Sequence, residues 1–166
     1  MSHRYVGPEE IRAAVRPESE GRVIASTNDL AAWVSERGTA EAAEPFTYVV
    51  GLDGRLRLAP RRSEHVACAG GRPVLAAGEM AFSGPSEHWR AHEISNLSTG
   101  YCPDLSSWHA VARALEAAGV GHPGRFTHAV VFRRCERCRE CSVVREDDFV
   151  CVFCGSDLPL DWNVDS

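Results

Sequence analysis

The sequence contains no lysine: all eighteen basic residues are arginine. With its abundant alanine, glycine and valine, this points to coding bias in a GC-rich bacterial genome and says nothing of mechanism. Positive charge is in deficit overall. The net charge is −5 and the pI is near 5.8, which argues against non-specific phosphate binding as the organising activity. Long apolar runs are also missing. No stretch approaches the roughly eighteen apolar residues of a membrane span, so none is expected. The start Met1-Ser2-His3-Arg4-Tyr5 lacks the apolar core of a signal peptide. A reduced cytoplasm is therefore the expected compartment. Repeats and low-complexity segments are absent too.

What remains is a chain of globular composition, 166 residues long and 44% apolar. Such a length suits one domain, or one domain with an appendage. Seven cysteines is an odd number, and without a secretory signal it argues against a disulfide framework.

Four of those cysteines have telling spacing. Cys135-Glu136-Arg137-Cys138 is followed, after twelve residues, by Cys151-Val152-Phe153-Cys154-Gly155. Two Cys-x-x-Cys turns at this separation point two pairs of sulfurs at one centre, the arrangement of a four-thiolate zinc site. Gly155 can supply the positive φ that such a turn often needs. Iron with the same ligands stays open. A redox Cys-x-x-Cys would need only one motif, beside a βαβ pattern. Cys141 extends the first turn to Cys-x-x-Cys-x-x-Cys, but a tetrahedral ion needs only four ligands. Cys135 and Cys138 directly follow an apolar strand, so Cys141 is read as the spare. Between the turns, Val143 and Val144, a charged turn at 145–148, and Phe149 and Val150 read as a hairpin over 142–150. Residues 135–154 resemble the zinc-ribbon family. Since zinc ribbons occur in enzymes, nucleic-acid binders and scaffolds, the resemblance implies a structural metal and no particular activity. Residues 133–154 carry five arginines and five carboxylates, a neutral balance that makes a nucleic-acid partner unlikely on charge.

The rest of the chain reads as alternating elements. Residues 8–16 suit a short helix, with Pro8 at its start, Glu9 and Glu10 at its positive end and Pro17 as a stop. A strand over 21–25 precedes Ser26-Thr27-Asn28-Asp29, an N-cap for a helix with Leu30, Trp33 and Val34 on one face and Gly38 beyond it. Residues 38–45 read as a loop. Residues 46–59 form the clearest hairpin, with its turn at Asp53-Gly54 and Leu56 and Leu58 inward. Strands over 74–82 and 88–95 flank a turn at 83–86. Residues 96–103 read as a polar loop. Asp104 caps a third helix with Leu105, Trp108, Val111, Ala112 and Leu115 on its apolar face, ended by Gly119. A strand over 126–132 then runs into the first cysteine turn. The acidic tail, 158–166, carries Leu158, Leu160 and Trp162, which can dock back.

The middle of the chain carries a second pattern: His65-Val66-Ala67-Cys68, then Ala76-Ala77-Gly78-Glu79, then Ser98-Thr99-Gly100-Tyr101. It resembles a domain shared by plant calmodulin-binding proteins with IQ motifs and some bacterial secreted proteins. Two serines and one histidine of that pattern are missing here, and no basic amphipathic IQ-type helix is visible. In their own right, His65, Glu79 and Tyr101 are candidates for acid-base work, and Asn96 and Ser98 for ligand binding. A hairpin returns its outer ends to one edge, so His65 and Tyr101 are expected as neighbours. The competing reading gives Asn96 and Ser98 to turn-holding hydrogen bonds, and Glu79 to an exposed strand face. Cys68 and Cys102 read as small buried hydrophobes. His92, His109, His122 and His128 lack metal spacing and read as surface or loop residues.

The expectation is an α+β fold with a mainly antiparallel sheet, two or three covering helices and an integrated C-terminal zinc ribbon. The expected units are 1–132, the ribbon at 133–157 and the tail at 158–166. Three functions fit: a zinc-stabilised binding or adaptor protein for a protein or small-molecule partner, a small enzyme on a nucleotide-like substrate, or a nucleic-acid-binding regulator.

Overall fold

The computed structural model describes residues 1–85 and 88–165. The elements run α1 (Glu9–Ala13), β1 (Arg22–Ile24), α2 (Thr27–Ser35), α3 (Thr39–Ala42), β2 (Phe46–Gly51), β3 (Leu56–Ala59), α4 (His65–Cys68), β4 (Val74–Ser83), β5 (Arg90–Ile94), α5 (Trp108–Ala117), β6 (Val131–Arg134) and β7 (Cys141–Val144). The fold is α+β. One antiparallel sheet has the order β1-β3-β2-β4-β5, and β6 and β7 form a second, two-stranded antiparallel sheet.

The central strand explains the layering. Phe46, Thr47, Tyr48, Val49 and Val50 of β2 are all buried. A strand buried on both faces needs a cover on each. On one face, Phe46, Tyr48, Leu56, Leu58 and Met80 pack with Leu30 and Trp33 of α2 and Val111 and Leu115 of α5. On the other, Val49 and Ala77 pack with Val66 and Cys68 of α4 and with Tyr101, and Tyr5, Ile11 and Val15 of the N-terminal segment close the layer. Each large apolar side chain fully buried here contributes about 1.5–3 kcal/mol.

Local chemistry sets the element ends. Ser26 Oγ accepts from the Asp29 N–H at 3.1 Å, while the Asp29 carboxylate accepts from the Ala25 N–H at 2.9 Å. These bonds satisfy donors at the start of α2. Between β2 and β3, Gly54 takes φ +77, and Asp53 grips the Arg57 guanidinium through two bonds of 2.9 Å. That grip pulls the Asp53 carboxyl down to about 2. Asp104 accepts from the Ser106 N–H at 3.2 Å and starts a 3-10 turn that leads into α5.

Several segments differ from expectation. Residues 38–45 hold the one-turn helix α3, and 65–68 form α4, also one turn. Neither is long enough to show a helical period. Helix α1 stops at Ala13, and Pro17 opens a separate 3-10 turn. The strand expected over 126–132 begins only at Val131. The reason is that 126–128 crosses the end of β5: Thr127 and His128 both donate from their amides to Ile94 O, and Thr127 Oγ1 accepts from the Ile94 N–H. The hairpin expected over 142–150 pairs the other way, because β7 turns back onto β6 around the first cysteine turn. The turn at Arg145–Asp148 does form, with Glu146 at φ +50 and Asp147 at φ +59. Of the turn expected at 83–86, Ser86 lies outside the described residues.

The tail docks through polar bonds. Trp162 Nε1 donates to Cys102 O at 2.9 Å, and Asn163 exchanges two hydrogen bonds with the Arg134 backbone. Arg133 donates to the Pro159 and Leu160 carbonyls, and Arg134 to the Val164 carbonyl.

Candidate metal centre and polar clusters

Cys135, Cys138, Cys151 and Cys154 meet with their sulfurs all within 4.8 Å of one another. The two Cys-x-x-Cys turns are built alike. The Cys135 N–H donates to Glu140 O and the Cys151 N–H to Ser156 O, both at 2.8 Å. The Arg139 N–H donates to Cys135 O and the Gly155 N–H to Cys151 O, both at 2.9 Å. Both turns need a left-handed residue right after the second cysteine. Gly155 supplies it at φ +75, and Arg139 at φ +68.

The fit to a metal is tested by the sulfur spacing. A tetrahedral ion with metal–sulfur bonds of about 2.3 Å sets sulfurs roughly 3.8 Å apart. Cys135 and Cys154 are 3.6 Å apart, and Cys138 and Cys151 are 3.7 Å apart. A disulfide would bring a pair to about 2.05 Å. The four residues therefore can hold one tetrahedral ion. Hydrogen bonds from Ser156 bring the Cys154 thiol down to about 6, favouring the thiolate that a metal needs. Cys141 is not in this cluster; it packs against Cys102, Phe132 and Val164 instead.

The central candidates lie on or beside the sheet face that carries α4. His65 Nε2 is 2.8 Å from Gly78 O. Burial lowers its pKa, and the Gly78 O hydrogen bond and the nearby Glu79 and Glu64 charges only partly offset that. Tyr101 is fully buried, and its hydroxyl donates to Arg72 O at 2.7 Å. Its ring meets Tyr5 edge-on with centroids 5.7 Å apart. Glu79 is half-buried and lines a cleft of about 240 Å³ that also includes Glu93, Ser95 and His128. Asn96 is fully buried; its Nδ2 donates to Val130 O at 2.7 Å and Pro103 O at 3.2 Å, and its Oδ1 accepts from the Val130 N–H at 2.7 Å. Ser98 Oγ accepts from the Tyr101 N–H at 3.3 Å.

The Ala76-Ala77-Gly78-Glu79 run has a packing explanation. The chain leaving β5 crosses over Gly78, where a β-carbon would stand 2.0 Å from Ser95 O. Ser95 O also accepts from the Tyr48 hydroxyl at 2.7 Å, and Ser95 Oγ from the Glu79 N–H at 3.1 Å. Gly78 thus permits a crossing that Tyr48, Ser95 and Asn96 fix in place.

One cluster was not singled out from the sequence. Trp33, Arg37 and Arg22 line a cleft of about 730 Å³ together with Glu18, Glu20 and Glu64. The Arg37 guanidinium lies 3.7 Å from the Trp33 ring centroid, and that of Arg22 5.2 Å. Arg22 is tied to Glu36 at 2.6 Å, whereas Arg37 reaches the same carboxylate only at 3.9 Å. Among the described residues, Trp33 Nε1 and Arg37 Nε are buried without a hydrogen-bond partner. The i,i+4 spacing of Trp33 and Arg37 was the available signal, but Trp33 also reads as plain core.

No family model, no curated protein and no solved structure matches the chain. No helix among the described residues is long and apolar enough to cross a membrane.

Proposed function

We propose that the chain is a zinc-stabilised, non-catalytic binding protein whose partner is a peptide segment carrying an acidic residue. In this reading Cys135, Cys138, Cys151 and Cys154 hold a zinc ion as a ribbon-like structural site. Four thiolates fill a tetrahedral ion and leave no position for substrate, so the metal's contribution is to fix the two turns. Such a site suits a reducing compartment, where thiols persist.

The observation that carries the reading is where hydrogen-bonding capacity is spent and where it is spare. His65 Nε2, the Tyr101 hydroxyl and the Asn96 amide are all engaged with backbone groups. Two residues that line the Trp33 cleft instead carry a buried donor without an acceptor among the described residues, Trp33 Nε1 and Arg37 Nε. Leaving a buried donor unpaired costs about 1–3 kcal/mol, which an incoming carboxylate can offset after local rearrangement. The cleft walls carry both signs of charge, and Trp33, Leu58, Ala59 and Ala67 supply apolar surface. That mixture suits a peptide better than a nucleic-acid backbone, whose charge has one sign.

Panning a random peptide library over the immobilised zinc-loaded chain tests this. Enriched sequences should carry an acidic residue, Arg37→Gln should abolish the enrichment, and His65→Gln should keep it. Enrichment that survives Arg37→Gln and disappears with His65→Gln contradicts the proposal.

A further inference from the structure

The metal cluster leaves Cys68, Cys102 and Cys141. Cys68 is sealed in the core, where burial pushes its thiol up to about 12. The other two meet where the main body joins the cysteine-rich end. Cys102 follows the loop after β5 and Cys141 opens β7, so the contact spans two parts of the chain far apart in sequence. Cys141 packs against the small apolar cluster formed by Cys102, Phe132 and Val164, and the Cys102 thiol donates to Thr99 O at 3.4 Å.

The pair is asymmetric in ways that matter chemically. Cys102 is 1% exposed, whereas Cys141 is only half-buried and so is the more accessible of the two. Cys102 also sits at φ +44, a backbone conformation that residues with a β-carbon rarely adopt. The surroundings hold it there: its N–H donates to Ser98 O at 2.7 Å and its carbonyl accepts from Trp162. Backbone strain maintained this way tends to mark positions with a task beyond packing. The neighbouring Cys102 thiol, helped by the Arg134 charge, draws the Cys141 thiol down to about 7, and the same proximity pushes Cys102 up.

From this geometry we infer that Cys102 and Cys141 form a redox-modification site, closing to a disulfide on reaction with a peroxide. Cys141 is the attacking sulfur. Its thiolate attacks one peroxide oxygen, the O–O bond breaks, and hydrogen peroxide leaves a Cys141 sulfenic acid and, after protonation, one water. The Cys102 sulfur then attacks the sulfenic sulfur. Its proton goes to the departing hydroxide, which leaves as a second water. The two sulfurs together lose two electrons, and the peroxide gains them. This division of labour is that of an accessible, low-pKa thiol beside a resolving partner. The bond would staple the loop after β5 to β7 while all four metal ligands stay free of it. Its formation does not depend on the peptide-binding reading.

The zinc-loaded full chain treated with one equivalent of hydrogen peroxide is the test. Free thiols are then alkylated, released zinc is measured, and peptides are mapped without reduction. The expected product is lighter by two hydrogens, contains a Cys102–Cys141 linked peptide and keeps its zinc. Cys68→Ser should leave that result unchanged. Cys141→Ser should abolish the link, and Cys102→Ala should leave a Cys141 sulfenic acid that dimedone traps. If Cys102→Ala fails to fold, the wild-type peptide map alone decides. Zinc release with disulfides among Cys135, Cys138, Cys151 and Cys154, while Cys102 and Cys141 stay alkylatable, would overturn the inference. So would oxidation of Cys141 with no link to Cys102.

Discussion

Replacing Gly78 by alanine perturbs the fold at the point where its two halves cross. The new β-carbon would stand 2.0 Å from Ser95 O and 2.7 Å from Ser95 C, where ordinary contact starts at 3.4 Å. Both obstacles are backbone, so no side-chain rotation relieves the clash. The Ser95 carbonyl would have to move by at least ~1 Å, which overpacking data put at about 1–3 kcal/mol. That movement also breaks the 2.7 Å bond from the Tyr48 hydroxyl, in a side chain with no exposed surface. An unpaired buried hydroxyl adds about 1–3 kcal/mol. The combined cost is about 2–6 kcal/mol, and at roughly 3 °C per kcal/mol for a chain of this size Tm should fall by about 6–18 °C. Gly38→Ala is the control, since nothing lies within 4 Å of its β-carbon position. It should change stability by no more than about 0.5 kcal/mol. Thermal unfolding followed by circular dichroism reads both variants. A Gly78→Ala Tm within about 2 °C of wild type would refute the reasoning.

Other substitutions probe neighbouring claims. Asn96→Ala removes three hydrogen bonds to buried backbone; it should cost about 2–4 kcal/mol and speed hydrogen exchange at the Val130 amide. Arg139→Gly should keep the metal and raise Tm slightly, because relief of the φ +68 conformation, about 1–2 kcal/mol, is partly offset by glycine's added unfolded-state entropy. Burial lowers the pKa of both His3 and His65, so below the unfolded value of 6.5 the unfolded chain binds protons that the folded chain refuses. Stability should therefore fall on acidification through pH 6, by at most about 1.4 kcal/mol per pH unit for each histidine, and His65→Gln should flatten the urea-denaturation profile.

Legibility followed the range of each signal. The β2–β3 hairpin was readable because alternation at Leu56 and Leu58 and the Asp53-Gly54 turn are local. Helix α5 was readable for the same reason, through Val111 and Leu115. The cysteine cluster was readable because its ligands come in two short pairs whose spacing carries the geometry. One-turn helices such as α3 and α4 have too few residues to show a period. The late start of the strand expected over 126–132 is set by Ile94, more than thirty residues away, so no local pattern records it. The direction of pairing around the first cysteine turn was hidden too, since Val143 and Val144 fit either partner. Gly78 read simply as one position of the strand over 74–82, and no local pattern records that Ser95 passes over it. The Trp33–Arg37 cleft stayed hidden because Trp33 also satisfies the apolar face of α2.

Native mass spectrometry of the chain purified under reducing conditions tests most directly whether Cys135, Cys138, Cys151 and Cys154 hold one zinc. One zinc per chain is expected, lost in Cys135→Ser and in Cys151→Ser and retained in Cys141→Ser. Strong chelation should melt the segment from β6 onward, since a structural zinc supplies on the order of 10 kcal/mol of apparent binding energy. A metal-free chain, or a chain that keeps its zinc in Cys135→Ser and loses it in Cys141→Ser, would contradict the account.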